Sequence, residues 1–201
     1  VDELLLADAI EIAEAAAAIT LEWFRAEELN VEFKADGSEV TSADRAVESF
    51  AREAIHNRYP NDTILGEEDG ETAGFSNRKW IIDPIDGTTS FIRGVPLFTT
   101  LLGIVDEHGP AVGIVIAPAL NDRVTAGRGR GCFYNGIPTR VSNVTDIKES
   151  CVSSSAYDGS WWPQKALLAV ANSGAKTRSW GDGYGYMLVA TGQIEAMIEP
   201  Q

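Results

Sequence analysis

The chain has 201 residues, 44% hydrophobic and 23% charged, with a formal net charge of -14. That is material for one large domain or two small ones. So acidic a chain is a poor partner for nucleic acid or anionic membrane, whose binding relies on basic patches. Residues 2–28 place Leu5, Ile12, Ile19 and Trp23 at helical spacing with acids between them, which predicts an amphipathic helix. The same stretch lacks the basic start and unbroken apolar core of a signal peptide. No window elsewhere is long, apolar and uncharged enough to predict a membrane-spanning helix. NVEFKADGSEVTSAD predicts a short strand and a turn. A second helix follows over about 43–58, with Val47, Phe50, Ala54 and Ile55 on one face and Pro60 beyond its end.

DTILGEEDG and KWIID each read as a short strand ending in acids. LFTTLLGIVD and AVGIVIAP are β-rich runs joined by Glu-His-Gly, which predicts a hairpin. VTAGRGRGCFYNG continues the sheet with glycine turns. After about residue 136 the pattern changes. A strand near Cys151–Ser155, a helix near 161–172, a strand near Lys176–Ser179, a helix near 183–191 and a last strand in QIEAMIEP predict an α/β unit. The expected division is thus an N-terminal α+β domain over 1–136, carrying a metal site, and an incomplete C-terminal α/β domain over 137–201.

Only two cysteines occur, Cys132 and Cys151, which suits reduced, partly buried thiols better than a disulfide framework. The two histidines, late in a helix (His56) and in a turn (His108), assemble no zinc cluster and no catalytic base. Chemistry here must rest on carboxylates. In WIIDPIDGTTSF the strand delivers Asp83 at its carboxyl end, where open α/β sheets place ligands. Pro84 fixes one backbone angle, so Asp83, the Ile85 carbonyl and Asp86 can aim at one point. Oxygen donors of this kind suit a hard cation such as Mg²⁺. Gly87-Thr88-Thr89 could open a helix whose amides face a phosphate. Metal and phosphate together point to metal-assisted phosphoryl hydrolysis; a plain turn with Asp86 as a helix cap is the alternative. Glu67-Glu68 reads either as a solvated acidic loop or as a further metal ligand on a converging strand end. Asp44 fits a capping box with Thr41, and alternatively a partner for the Thr88 hydroxyl in orienting water. Asp182 reads as a helix cap or as a carboxylate for a cationic substrate group. The glycines of GRGRG and GDGYG match no dinucleotide or P-loop fingerprint.

KADGSEVTSAD, GEE, WIIDPIDGTTSFIRGVP and RSWGDGYGYMLVATGQIEAMIEP, in that order, resemble the inositol monophosphatase superfamily along essentially the whole chain. The resemblance implies a layered αβαβα sandwich of the α/β (α+β) class and a Mg²⁺-dependent phosphomonoesterase inhibited by Li⁺, with two or three Mg²⁺ per site. It implies Glu67, Asp83 and the Ile85 carbonyl at one metal and Asp83 and Asp86 at a second. Asp86, Gly87 and Thr88 would hold phosphate. Asp44, Thr88 and Glu67 would form the catalytic group, and Ser90, Asp182 and Glu199 would contact substrate. GTTSFIRGVPLFTTLLGIV, APAL and SWGDGYGY look most like the histidinol-phosphate phosphatase branch. An acid at 182 suits a substrate bearing an ammonium group. A broader inositol-type or sugar phosphate phosphatase is the alternative within the class. The partner implied is a small phosphorylated substrate, with no nucleic acid and no membrane, in a cytoplasmic homodimer. The family continues past the Glu199 strand with a Trp-Asp pair that completes the second metal site, whereas this sequence stops at Gln201. The expectation is therefore a truncated C-terminal part with an uncovered sheet edge, weak second-metal binding and low activity; a metal-binding fragment is the reading from another class.

Overall fold

The computed structural model describes residues 1–27, 29–34, 37, 39–155 and 164–199, which form three sheets. The first helix, α1 (Glu3–Trp23), starts where the Asp2 carboxylate accepts the Leu4 N–H at 3.2 Å. Periodicity predicts helix to residue 28, but the chain leaves it at Phe24. That ring packs on Phe98 and Phe91, with centroids 4.9 and 5.7 Å away, and Arg25 turns back with a left-handed φ of 64°. Strands β1 (Val31–Phe33) and β2 (Glu39–Thr41) pair antiparallel as a small ribbon leading into α2 (Ser42–Arg58).

The large sheet contains β3 (Thr63–Gly66), β4 (Gly70–Thr72), β5 (Lys79–Asp86), β6 (Thr99–Asp106), β7 (Gly109–Ala117), β8 (Asp122–Gly127), β9 (Gly131–Tyr134) and β10 (Ile137–Thr139). Their spatial order is β10-β9-β8-β7-β6-β5-β3-β4, antiparallel throughout except for the β3–β5 pair. The expected β6–β7 hairpin is present. Residue 136 is not where this sheet stops: Asn135 and Gly136, with φ of 49° and 80°, form the two-residue turn that folds β10 onto β9. One face of the sheet is covered by α1 and α2. The small residues Ala9, Ala13 and Ala16 of α1 let it lie close over Ile104, Val112 and Ile114, while Val47 and Ile55 of α2 meet Trp80 and Ile82.

A second, parallel sheet has the order β12-β11-β13, from β11 (Cys151–Ser154), β12 (Lys176–Arg178) and β13 (Ala196–Ile198). Helix α4 (Gln164–Asn172) links β11 to β12, and α5 (Asp182–Ala190) links β12 to β13. The expected start of the fourth helix at residue 161, and Pro200 and Gln201 after the last strand, lie outside the described residues. Helix α5 contacts β6 and β7 on one side and β11 and β13 on the other, with Met187 buried against Ala117 and Val124. The layers therefore run from α1 and α2 through the large sheet and α5 to the small sheet, the alternation of the α/β sandwich expected. Asp182 and Gly183 thereby meet the end of β5.

Candidate active site

Strand β5 runs beyond Asp83 to Asp86, with a break in its register against β6: Asp83 faces Leu101 and Asp86 faces Thr99. Pro84 has no N–H for the ladder, and its carbonyl accepts the Thr100 hydroxyl at 2.8 Å. This bulge buries Ile85 and leaves Asp83 and Asp86 half-buried. Gly87 follows at a φ of 80°, a conformation that strains any other residue, and opens α3 (Thr88–Ile92). The helix has only five residues, so the amides of the turn, more than a helix dipole, are what an anion would meet.

Asp83 Oδ1 is buried and has no hydrogen-bond partner among the described residues. Burial holds the Asp83 carboxyl far above the usual carboxylate range, and the charges of Asp86, Glu67 and Asp44 and a hydrogen bond with Glu67 push the same way. Asp86 is pushed up to about 6 by burial, with Asp182 and Glu199 adding to it, against hydrogen bonds from the Gly183 N–H and the Thr99 hydroxyl. Burial raises Asp182 as well, with Glu199 adding. So many converging carboxyls disfavour one another's charge, and a cation among them would reverse that. The donors are all oxygen, and the orphaned Asp83 Oδ1 is the atom a hard cation would satisfy, so these residues fit magnesium.

Among the described residues, no group of three or more His, Cys, Asp or Glu already stands drawn around one point as metal ligands. Protein partners hold the acids instead. Lys34 Nζ lies 2.7 Å from Glu67 Oε1 and 2.8 Å from Glu68 Oε1. Burial opposes the Lys34 charge, but its hydrogen bonds to Glu67 and Glu68 outweigh burial and raise it. Asp86 Oδ2 accepts from Thr99 Oγ1 at 2.9 Å and from the Gly183 N–H.

Asp44 and Thr88 are not hydrogen-bonded to each other. Asp44 Oδ2 accepts the Thr41 N–H at 2.7 Å and the Thr41 hydroxyl at 2.6 Å, closing the capping box of α2, and Thr88 Oγ1 donates to the Ile85 carbonyl at 3.0 Å. The expected pairing gives way because the helix start offers Asp44 two donors within three residues. Burial, with the Glu67 charge adding, still raises Asp44.

Asp182 is not the cap of α5. That position belongs to Gly181, and Asp182 sits in the first turn with a left-handed φ of 57°. Its carboxylate is thereby brought to the Gly87 turn: a Cβ on Gly87 would stand 3.0 Å from Asp182 Oδ2. Glu67, Gly87, Thr88 and Asp182 line one cavity of about 400 Å³, together with Phe33, Gly37, Glu39 and Thr89. A larger cavity of about 470 Å³, beside Glu14, Ala17 and Arg123, holds none of these residues. Ser90 lies within α3, next to Thr89, and does not line the first cavity. Glu199 accepts the Tyr186 hydroxyl at 3.2 Å and reaches the site through its charge on Asp86 and Asp182.

Residues 2–201 match the inositol monophosphatase family. The chain belongs to that family. It is 38% identical to the histidinol-phosphatase of Mycobacterium tuberculosis, covering 100% of this chain and 79% of that one. The histidinol-phosphatase of Streptomyces coelicolor is 37% identical, with 100% and 78% covered. The solved structure of a Thermotoga maritima IMPase superposes with a TM-score of 0.84 at 30% identity, over 94% of this chain and 74% of that one. The chain is thus a phosphatase of the inositol monophosphatase family, acting on small phosphorylated substrates, and such enzymes are in general metal-dependent. No helix among the described residues is long and apolar enough to cross a membrane.

Lys34, Thr99 and Gly183 are absent from the residues that sequence reasoning selects. Gly183 had a signal in retrospect, as the second glycine of GDGYG: a Cβ there would fall 2.3 Å from Thr99 Oγ1 and 2.7 Å from Asp86 Oδ2. Lys34 and Thr99 carry no local signal, since their partners are distant in sequence.

Proposed function

We propose that this chain is a histidinol-phosphatase, cleaving histidinol phosphate to histidinol and phosphate. The observation that carries the reading is the carboxylate of Asp182 against Gly87, at the start of the phosphate turn. An acid beside an anion site works against a bare phosphate. It becomes favourable when the same substrate carries an ammonium group to pair with it. Histidinol phosphate carries that amine and inositol phosphate does not. Identity of 37% to 38% with histidinol-phosphatases over the whole chain supports the same reading.

Glu67, Asp83 and the Ile85 carbonyl would hold one magnesium ion, and Asp83 and Asp86 a second. Bound magnesium supplies Lewis-acid activation of water and neutralises charge on the phosphate and the leaving oxygen. The Gly87 and Thr88 amides hold the phosphate oxygens and fix the ester bond in line for attack. Asp44, within electrostatic reach of Asp83 and Glu67, takes the proton of the attacking water. Water adds to phosphorus, the ester P–O bond breaks, and its electron pair leaves on the histidinol oxygen, which takes up a proton. Asp182 and Glu199 bind the amino-alcohol. On this reading the enzyme is a cytoplasmic homodimer of histidine biosynthesis and lithium inhibits it.

The test is phosphate release from histidinol phosphate and from inositol 1-phosphate, side by side, with and without Mg²⁺. The expected result is Mg²⁺-dependent release that favours histidinol phosphate in kcat/KM. Equal or better turnover of inositol 1-phosphate would sink the assignment.

A further inference from the structure

Glu48 is the least explained charge in the molecule. It lies on α2 and is completely buried, at 0% exposure. A carboxylate so deep is costly unless every oxygen is engaged. Both are engaged. Glu48 Oε2 accepts the Glu68 N–H at 2.8 Å, and Oε1 accepts the Asp69 N–H at 3.0 Å. Arg52, one turn further along α2, donates its Nε to Oε1 at 2.8 Å. The Arg52 guanidinium continues to the Thr72 hydroxyl at 3.1 Å and to the Gly70 carbonyl.

Apart from the Glu48–Arg52 pair within α2, each of these bonds ends on the turn from Gly66 to Gly70 or on β4. That turn carries Glu67 and Glu68. Gly66 has no side chain at the one place where a Cβ would lie 2.0 to 2.6 Å from the Glu48 carboxylate atoms. The glycine of GEE is thus the gap that admits Glu48.

We propose that Glu48, braced by Arg52, is a positioning residue that sets the Gly66–Gly70 turn so that Glu67 meets Asp83 across the metal site. The inference rests on the metal reading above. The turn holds three consecutive acids, Glu67, Glu68 and Asp69, whose charges repel one another. Pinning two consecutive amides with a single buried carboxylate leaves the Glu67 backbone little freedom, and the parallel β3–β5 register, which sets Gly66 beside Ile82, then brings Glu67 alongside Asp83. The acid makes no contact with substrate, and it acts through Glu67.

The test is calorimetric titration of the metal-stripped full chain with Mg²⁺, below the unfolding temperature of each variant. Glu48→Gln keeps the shape but turns an NH₂ toward a backbone N–H. Its Mg²⁺ dissociation constant should rise about tenfold or more, in line with residues that orient metal ligands. At saturating Mg²⁺ its kcat should return close to wild type, a split that simple destabilisation does not produce. Asp62→Asn is the control, a buried acid lost at a distance from the turn, and it should bind Mg²⁺ as wild type does. Should Glu48→Gln fail to fold, Gly66→Ala displaces the same carboxylate and should weaken Mg²⁺ likewise. Wild-type affinity in the tested variant, or an equal loss in Asp62→Asn, overturns the inference and leaves the metal reading intact. Failure of the wild-type chain to bind Mg²⁺ overturns both.

Discussion

Asp62 and Asp83 are both acids associated with β5, Asp62 packed beside the residues that begin the strand and Asp83 within it, where it bends. Asp62 is 6% exposed, and its carboxylate takes Trp80 Nε1 at 2.9 Å, Arg78 Nε at 2.9 Å and Ser76 Oγ at 2.6 Å. Asp83 has an oxygen with no donor among the described residues, and its neighbours are Asp86, Glu67 and Asp44. One acid is surrounded by donors and holds the fold together. The other is surrounded by acids, and on the reading proposed above a cation would settle it. Both are withdrawn from water, Asp62 the more fully; what differs most is the sign of their neighbours.

Exchanging each acid for its amide gives opposite results if this contrast holds. Asp83→Asn should lower phosphate release by roughly 10³-fold or more, since the group that gathers the cations is lost. The Tm of the metal-free protein should not fall, because a like charge has been removed. Asp62→Asn should do the reverse. It leaves Arg78 without its partner and turns donors toward donors, at a cost of about 3 kcal/mol, or roughly 10 °C in Tm for a chain of this size. Its kcat, measured well below that Tm, should stay within about twofold of wild type, as expected for a residue remote from the chemistry. Thermal unfolding and steady-state turnover on the same two preparations decide it. A stabilised Asp62→Asn or a fully active Asp83→Asn would remove the distinction.

The acid-rich end of β5 should also leave a mark on pH dependence. Asp86 stands at about 6 in the folded protein, and an unfolded aspartate titrates near 3.9. A raised value means that folding favours the protonated form. The contribution is therefore whole below about pH 4 and is lost as the pH rises through about 6. Between about pH 4 and pH 6.5, metal-free wild type should lose on the order of 2 kcal/mol of stability relative to Asp86→Asn. Adding Mg²⁺ should restore stability to the wild type alone. Chemical denaturation across that range measures the difference. Parallel profiles for the two proteins would mean that Asp86 carries no strain.

The same contrast explains what could be read from the chain before folding. DPIDGT and GEE announce their acids because strand ends, proline and glycine are local features, and both segments lie where expected. The capping box of Asp44 is local too. Its predicted bond to Thr88 is not, and there the nearer donors of Thr41 win. The partners that settle the site come from far along the chain. Gly183 reaches Asp86 across 97 residues, and Lys34 reaches Glu67 across 33. No spacing rule encodes those. Asp182 shows a third case, since its position before an apolar helix predicts a cap. Its left-handed φ, inside the first turn, instead turns the carboxylate toward Gly87.

Asp182 also supplies the smallest and most discriminating effect. Asp182→Asn keeps the shape, and asparagine tolerates the left-handed φ of 57°, so the backbone of α5 should stay in place. What is lost is one charge beside the phosphate turn. For histidinol phosphate the ammonium loses its partner, and KM should rise about tenfold, the worth of one charge-assisted hydrogen bond. For inositol 1-phosphate the lost charge had only repelled the phosphate, so its KM should stay the same or fall. The two substrates must therefore move in opposite directions, or one must stand still while the other weakens. Loss of Asp182 also removes a charge that raises Asp86, so Mg²⁺ affinity should change alike whichever substrate is present. A uniform change in KM for both substrates would assign Asp182 to the metal site and leave recognition of the amine without its residue.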